Sequence, residues 1–364
     1  MKYHTTVNET KKKTGRIKIY TLISLLLSLS VIALILYYTF NRNTWYYLTH
    51  TPIRYEFFLL AILLNIFSWI LWGYRLQVLT NAIDKDLHIS LRESTRIVIA
   101  NLFLALITPA LVGGEPLRIY LLNKDGMKLG GATAAIIGER LIDAVWVLIA
   151  APIAFVIFKD RLGDSPLTIA LTIGMITFIG FLLVILYALR NPEKIKSFVF
   201  FLNNKINRLF RKNVDAESSG FASFVEREVD NFHTSMMFFS GEGKKTFLLA
   251  SFLTIAYWMV CFMIASMLLM GLGLPPFFLE SFAAQMLLIV IVSIPTTPGA
   301  SGVAELSMTG LYGVVLGTTY GYLLGVFVIL FRFVTYYMNL IAGAIFQYRA
   351  FKSLTSFSFN IMKK

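Results

Sequence analysis

The feature that most constrains this chain is a succession of apolar runs, each roughly 20 residues or longer, separated by short polar stretches. They extend from about Ile17 to Tyr38, Tyr55 to Leu79, Ala132 to Phe158, Leu167 to Leu189, Thr246 to Met270 and Tyr320 to Tyr348. A helix of about 20 residues covers the ~30 Å hydrocarbon core of a bilayer, because each residue adds ~1.5 Å. Hydrophobic residues make up 57% of the chain and charged residues only 15%, where a soluble domain has about 25%. The expectation is an all-α, polytopic membrane protein. The first run is too long for a signal-peptide core and lacks a small-residue cleavage pattern after it, so it reads as an uncleaved span.

The charge pattern sets the expected topology. The net charge is +13. The basic residues flank the apolar runs: Lys11, Lys12, Lys13, Arg16 and Lys18 before the first, and Arg349, Lys352, Lys363 and Lys364 after the last. Loops rich in Lys and Arg stay cytoplasmic, so both termini are expected inside, in a multi-pass protein of the plasma membrane. The same residues favour anionic lipid headgroups as partners, and nucleic acid is not expected. A homo-oligomer is left open. The expected organisation is a tail over 1–16, a transmembrane domain over 17–349 and a tail over 350–364. A basic cytoplasmic stretch, residues 190–245, interrupts the domain; within it Phe221, Phe224, Val225, Phe232 and Met236 recur near helical spacing and predict an amphipathic helix. That helix either lies on the membrane surface or packs on the bundle. Cys261 is the one cysteine, and the four histidines have no ligand spacing, so neither a disulfide nor a metal or other cofactor is expected.

Two further apolar runs are broken by helix-disrupting residues, and the two breaks resemble each other. The first reads Thr108-Pro109-Ala110-Leu111-Val112-Gly113-Gly114-Glu115, the second Thr297-Pro298-Gly299-Ala300-Ser301-Gly302-Val303-Ala304-Glu305. Non-helical backbone at membrane depth is tolerated only where protein or a water-filled cavity covers it. Paired breaks in the two halves of a membrane chain point to a transporter's binding site. If each break is the tip of a re-entrant hairpin, the chain has about six full spans plus two hairpins. The first then opens to the cytoplasm and the second to the outside, an inverted repeat. If each is a complete crossing, the count is eight or more. Kinks at helix packing points are the other reading.

Charges inside the spans give the candidate path. Glu139, Arg140 and Asp143 fall within the run that follows the first break, where an uncompensated charge costs about 2.5–3.5 kcal/mol or more. Arg140 and Asp143 sit three apart and can pair on one helix face, whereas Glu139 and Asp143 sit four apart as like charges. Arg332 in the last span, with Tyr336 one turn on, is the expected partner. Glu115 and Arg118 repeat the spacing beside the first break, and Glu305 follows the second. These groups either form a closed ion-pair network or line a polar cavity at mid-depth. Glycine-rich breaks leave N–H groups at helix starts, and arginine binds phosphate through two parallel hydrogen bonds. A phosphate-bearing headgroup is the cargo this set suits.

Gly113-Gly114-Glu115-Pro116-Leu117-Arg118, Glu139-Arg140 with Asp143, and Pro298-Gly299-Ala300-Ser301-Gly302 with Glu305 resemble the flippase-like transmembrane domain of lysylphosphatidylglycerol synthases. The resemblance covers about Ser24 to Gln347. It implies a domain that moves an aminoacylated phospholipid between leaflets, while a separate domain makes that lipid. Some members are linked to polyprenyl-phosphate sugar lipids. This chain closes soon after its last span, so translocation without synthesis, and hence no enzyme activity, is expected. Ala300 stands where the family usually has glycine, a departure that allows a different substrate. Beside the lipid translocase stand a secondary transporter of a small anion, a membrane enzyme acting on a lipid phosphate, and a non-catalytic subunit of a lipid or glycan pathway.

Overall fold

The structure, a computed structural model, describes residues 26–108, 113–162, 166–191, 243–293 and 299–348, with scattered positions between 194 and 241 and at 297. Pro109 and Pro298, both terminal tails, and the positions that predicted the amphipathic helix lie outside the described residues. Every described element is helical. In chain order they are α1 (Leu26–Thr39) and α2 (Arg42–His50), then α3 (Tyr55–Ile83), α4 (Leu91–Ile107), α5 (Gly114–Lys124) and α6 (Leu129–Leu162). Next come α7 (Pro166–Arg190), α8 (Lys244–Gly271), α9 (Phe278–Val292), α10 (Val303–Tyr320), α11 (Leu324–Arg332) and α12 (residues 338–348). A 3-10 turn, Gly321–Leu323, joins α10 to α11, and a π-helical turn, Phe333–Tyr337, joins α11 to α12.

Local sequence explains where the polar starts fall. Asn41 caps α2 by accepting from the N–H groups of Asn43 and Thr44, and Thr44 returns a bond to the Asn41 backbone. Ser90 and Glu93 form the same reciprocal box at the start of α4. Each box satisfies donors that a helix start otherwise leaves open.

The outer surface has the polarity of a membrane protein. Leu59, Leu63, Ile149, Ile153, Ile176, Leu183 and Phe252 are exposed, while Arg75, Arg118, Glu139 and Glu305 are buried. Water would favour the reverse. Tyr37, Tyr38, Trp45, Tyr46 and Tyr55 are exposed near one end of the bundle, and Tyr120, Tyr187 and Tyr348 near the other, where such rings meet lipid headgroups.

α3 and α8 run antiparallel through the centre. The Arg54 N–H donates to the Gly271 carbonyl at 3.0 Å at one end, and Leu79 packs with Ala250 and Phe247 toward the other. These contacts define a first end, which carries Ile83 and Lys244, and an opposite end, which carries Tyr55 and Gly271. α4 and α5 form a hairpin whose two open ends lie at the first end: Leu87 lies beside Gly126, and Ile89 packs in one cluster with Met127. α9 and α10 form a second hairpin with its open ends at the opposite end, where the Phe277 and Tyr320 rings meet at 6.4 Å. Partway down it, Gln285 donates to the Tyr312 hydroxyl at 3.1 Å. The tips meet inside the bundle: the Gly299 N–H donates to the Thr108 carbonyl at 3.0 Å.

Residues Val303–Tyr348 are long and apolar enough to read as one 46-residue span. A straight helix of that length would measure about 69 Å. Yet the rings of Tyr312 and Phe327 lie 4.4 Å apart. The chain folds back at Gly317, whose φ of 56° is accessible to glycine and strained for residues with a side chain. Only the stretch from Leu324 onward runs the depth of the bundle, alongside α3 and α4. Gly343 lets α12 approach so closely that a Cβ there would lie 2.4 Å from the Phe103 amide nitrogen.

Candidate functional site

Two groups of charged side chains lie inside the bundle. The first joins α3, α5 and α6. Glu139 accepts two parallel hydrogen bonds from Arg118, Nη1 to Oε1 and Nη2 to Oε2, both 2.8 Å. Arg75 touches Glu139 Oε1 at 3.0 Å and donates to Asp143 Oδ1 at 2.7 Å and to Thr254 at 2.8 Å. The Trp72 indole N–H donates to Glu139 at 2.8 Å, and that of Trp258 to Asp143 at 3.1 Å. Arg140 closes the group, 2.7 Å from Glu115 and 3.4 Å from Asp143. Three arginines meet three carboxylates, so the charge sums to zero.

That balance is what permits burial. Moving a charge out of water costs several kcal/mol, recovered only with good geometry and further hydrogen bonds. The forked guanidinium supplies both. Arg75, Arg118 and Glu139 are at most 1% exposed, while the Arg140 side chain keeps 35% and Glu115 21%. The core of the group is locked and its rim is accessible.

The second group sits at the start of α10. Glu305 Oε2 accepts from the Gly302 N–H at 2.7 Å. Its Oε1 accepts from the Ser28 hydroxyl of α1 at 2.5 Å and lies 2.8 Å from Arg332 Nη2. Ser28 in turn is 3.0 Å from the Tyr337 hydroxyl. The Arg332 guanidinium stacks 4.0 Å over the Tyr336 ring. The π-helical turn after Arg332 carries both Tyr336, under the guanidinium, and Tyr337, against Ser28; such turns recur at functional sites. The Tyr336 hydroxyl reaches Leu106 and Ser301, one residue from each hairpin.

A cavity of about 230 Å³ lies between the two groups. Arg332 and Asn65 supply polar atoms to its wall, Trp72, Tyr257 and Trp258 supply rings, and Gly299 of the second tip bounds it. The indoles of Trp72 and Trp258 that line it are the ones that hold Glu139 and Asp143 from behind.

The predicted charged residues fall into these two groups, but several predicted pairings are replaced. Glu115 and Arg118 do not pair with each other: Arg118 turns inward to Glu139, and Glu115 outward to Arg140. Arg332 does not serve Glu139 and Asp143; it pairs with Glu305. The cation those two carboxylates share is Arg75, which the sequence reading passed over. It was visible as a lone arginine within the apolar run from Tyr55 to Leu79, and the rule that flagged Glu139 applies to it equally. Arg140 and Asp143 do meet, at 3.4 Å. Thr108 caps the first tip by accepting from the Gly113 N–H at 2.8 Å, and Gly114 packs on Asn101. Ala300 sits at φ 51°, a left-handed conformation, at the position where the sequence departs from glycine.

The family model of the lysylphosphatidylglycerol synthase transmembrane region matches residues 21–343. A UPF0104 membrane protein of Archaeoglobus fulgidus is 32% identical over 330 residues, covering 89% of this chain and 95% of that protein. A UPF0104 membrane protein of Methanothermobacter thermautotrophicus is 24% identical over 274 residues, covering 71% of this chain and 74% of that protein. No solved structure matches. The chain belongs to the lysylphosphatidylglycerol synthase transmembrane-region family.

Proposed function

From that membership we propose that the chain carries a phosphate-bearing lipid between membrane leaflets and performs no covalent chemistry on it. The observation that carries the reading is the contact of two broken helical hairpins, Gly299 N–H to Thr108 carbonyl, at the level of the buried charges. Hairpins that open toward opposite ends and meet at a polar centre are the arrangement through which an inverted repeat exposes one site to each side in turn. In this reading six segments cross the bilayer, the two hairpins enter from opposite faces, and both termini lie on the cytoplasmic side of the plasma membrane.

The path runs past the rim of the first group (Glu115, Arg140), the tips (Thr108, Gly113, Gly114, Gly299, Gly302) and the second group (Glu305, Arg332, Tyr336). Arg118, Glu139 and Asp143 act as its fixed polar wall. A charged headgroup crossing here meets cations and aromatic faces instead of hydrocarbon, while its acyl chains stay in lipid. Phospholipid, aminoacyl-phospholipid and polyprenyl-phosphate lipids share the required phosphate.

The test is reconstitution of the full chain in liposomes with headgroup-labelled lipids of these classes. Faster leaflet exchange than in protein-free vesicles is expected for at least one class. Unaccelerated exchange across the whole panel would defeat the reading. The compact cavity beside Arg332 favours one second reading, a transporter of a small anion, which predicts solute uptake with no effect on lipid exchange.

A further inference from the structure

Glu305 is held differently from the other buried carboxylates. Glu139 is fixed by two guanidinium groups and an indole N–H, all of which only donate. Among the described residues no hydroxyl contacts it. Glu305 instead meets one guanidinium, one backbone N–H and the Ser28 hydroxyl. Ser28 is fully buried, and its second contact, Tyr337, is partly exposed.

A hydroxyl can reverse its role. With Glu305 ionised, Ser28 donates to Oε1. With a proton on Oε1, the acid O–H donates to Ser28 Oγ, and the Ser28 O–H turns to the Tyr337 oxygen 3.0 Å away. The Gly302 N–H keeps its bond to Oε2. Both protonation states of Glu305 are therefore accommodated with every one of these groups satisfied.

Arg332 completes the argument. It lines the cavity, its side chain is 9% exposed, and its Nε and Nη2 make no aligned hydrogen bond; Nη2 has only the ion-pair contact with Glu305. Together Glu305 and Arg332 are neutral. A phosphate monoanion arriving at Arg332 would leave the pair one charge short in a medium where an uncompensated ion costs several kcal/mol. One proton on Glu305 restores neutrality and frees the guanidinium to turn to the phosphate. The titratable and charged groups facing Glu305 among the described residues are Arg332, Tyr336 and Tyr337 from the last helix. α1 offers the neutral Ser28, and the first tip reaches only the Tyr336 hydroxyl, through the Leu106 carbonyl.

We propose that Arg332 is the phosphate-binding residue of the cavity and that Glu305 takes up one proton from water for each phosphate bound, which makes movement of the cargo proton-coupled. The carboxylate gains the proton, hydronium loses it, and no other covalent bond changes. The inference rests on the translocation reading only for the source of the phosphate, a lipid headgroup or a free ester.

The experiment uses probes with one permanent charge, dimethyl phosphate as the free ester and short-chain phosphatidylglycerol as the lipid. Binding to the full chain in detergent is measured by calorimetry between pH 5 and 8, in two buffers of different ionisation enthalpy. Wild type should take up close to one proton per ligand, with affinity falling about tenfold per pH unit once Glu305 is ionised in the free protein. Glu305→Gln should bind with no proton uptake and a flat pH profile. Arg332→Gln should lose binding at every pH. Ser28→Ala, which keeps the carboxylate, should weaken the coupling without abolishing binding, and it serves if Glu305→Gln does not fold.

Binding without proton uptake in wild type, or no binding of either probe, overturns the proposal. Binding of the free ester alone, with uptake, sustains the proposal and moves the source from lipid to solute. A parallel lipid-exchange assay separates the two failures. Exchange that is indifferent to pH and to Glu305→Gln overturns the coupling and leaves translocation standing; proton-linked binding with no exchange does the opposite.

Discussion

Replacing Arg75 with methionine removes the cation that two buried carboxylates share. Methionine is apolar and of similar reach, so the substitution deletes charge without opening a large hole. Breaking a buried ion pair by removing one partner costs about 3–5 kcal/mol, because the other charge is left uncompensated. The damage is unequal. Glu139 keeps both hydrogen bonds from Arg118 at 2.8 Å and the Trp72 N–H, so it stays satisfied. Asp143 keeps only Arg140 at 3.4 Å and the Trp258 N–H at 3.1 Å. The expected loss is therefore near the lower bound, about 3 kcal/mol. Neutralising the stranded carboxylate as well, Arg75→Met with Asp143→Asn, restores the balance as two arginines against two carboxylates and should recover about 2 kcal/mol. Unfolding of both single variants and the double variant in mixed micelles, titrated with a denaturing detergent, gives the coupling energy directly. If the double variant loses the sum of the single losses, with coupling under about 0.5 kcal/mol, the two side chains do not share a charge balance and the locked first group is wrong.

Four further outcomes follow from particular contacts. Gly343→Ala sets a methyl group 2.4 Å from the Phe103 backbone, which cannot swing aside, so it should cost about 1–3 kcal/mol. Gly180→Ala, with nothing within 4 Å, should be neutral or stabilising in the same unfolding assay. Ala300→Gly relieves a left-handed φ of 51° and should stabilise the protein by about 1 kcal/mol; lower stability would mean the methyl group packs better than the backbone strains. Ser90→Ala should cost about 1 kcal/mol through the lost α4 cap. Bonds from the Ser90 backbone N–H and hydroxyl hold the exposed Glu93 carboxyl below its usual range. The part of that contribution made by the hydroxyl is present above the unfolded value of about 4.3 and fades as pH falls through the lower folded value, so the gap between wild type and Ser90→Ala should narrow in acid while the loss of the cap bond to the Glu93 N–H remains.

Much of the candidate site was legible in residue order because its signals are local. Proline and glycine disrupt a helix wherever they stand, and Thr108, Gly113, Gly299 and Gly302 mark the tips they were read to mark. A charge inside an apolar run is conspicuous, and Glu139, Asp143, Glu305 and Arg332 are all buried. The choice of partners was not legible. Spacing of three residues argued for Glu115 with Arg118, but both sit in the first turns of α5, and each finds a nearer opposite charge on α6. Arg75 carries the same local signal as Glu139, a charge inside an apolar run; only its partners depend on α3 lying against α6.

Sequence alone therefore determined the solvent this protein folds in, the places where its helices break, and the set of charges it must bury. Each follows from length, hydropathy and backbone chemistry within a few residues. Only the tertiary structure decided that the stretch from Val303 folds back at Gly317, that Thr108 and Gly299 meet, and that the buried charges divide into a locked group and a looser pair. Those outcomes depend on which helices become neighbours. In a low-dielectric interior a charge takes whichever counter-charge packing brings within about 3 Å, and separation along the chain does not enter that choice.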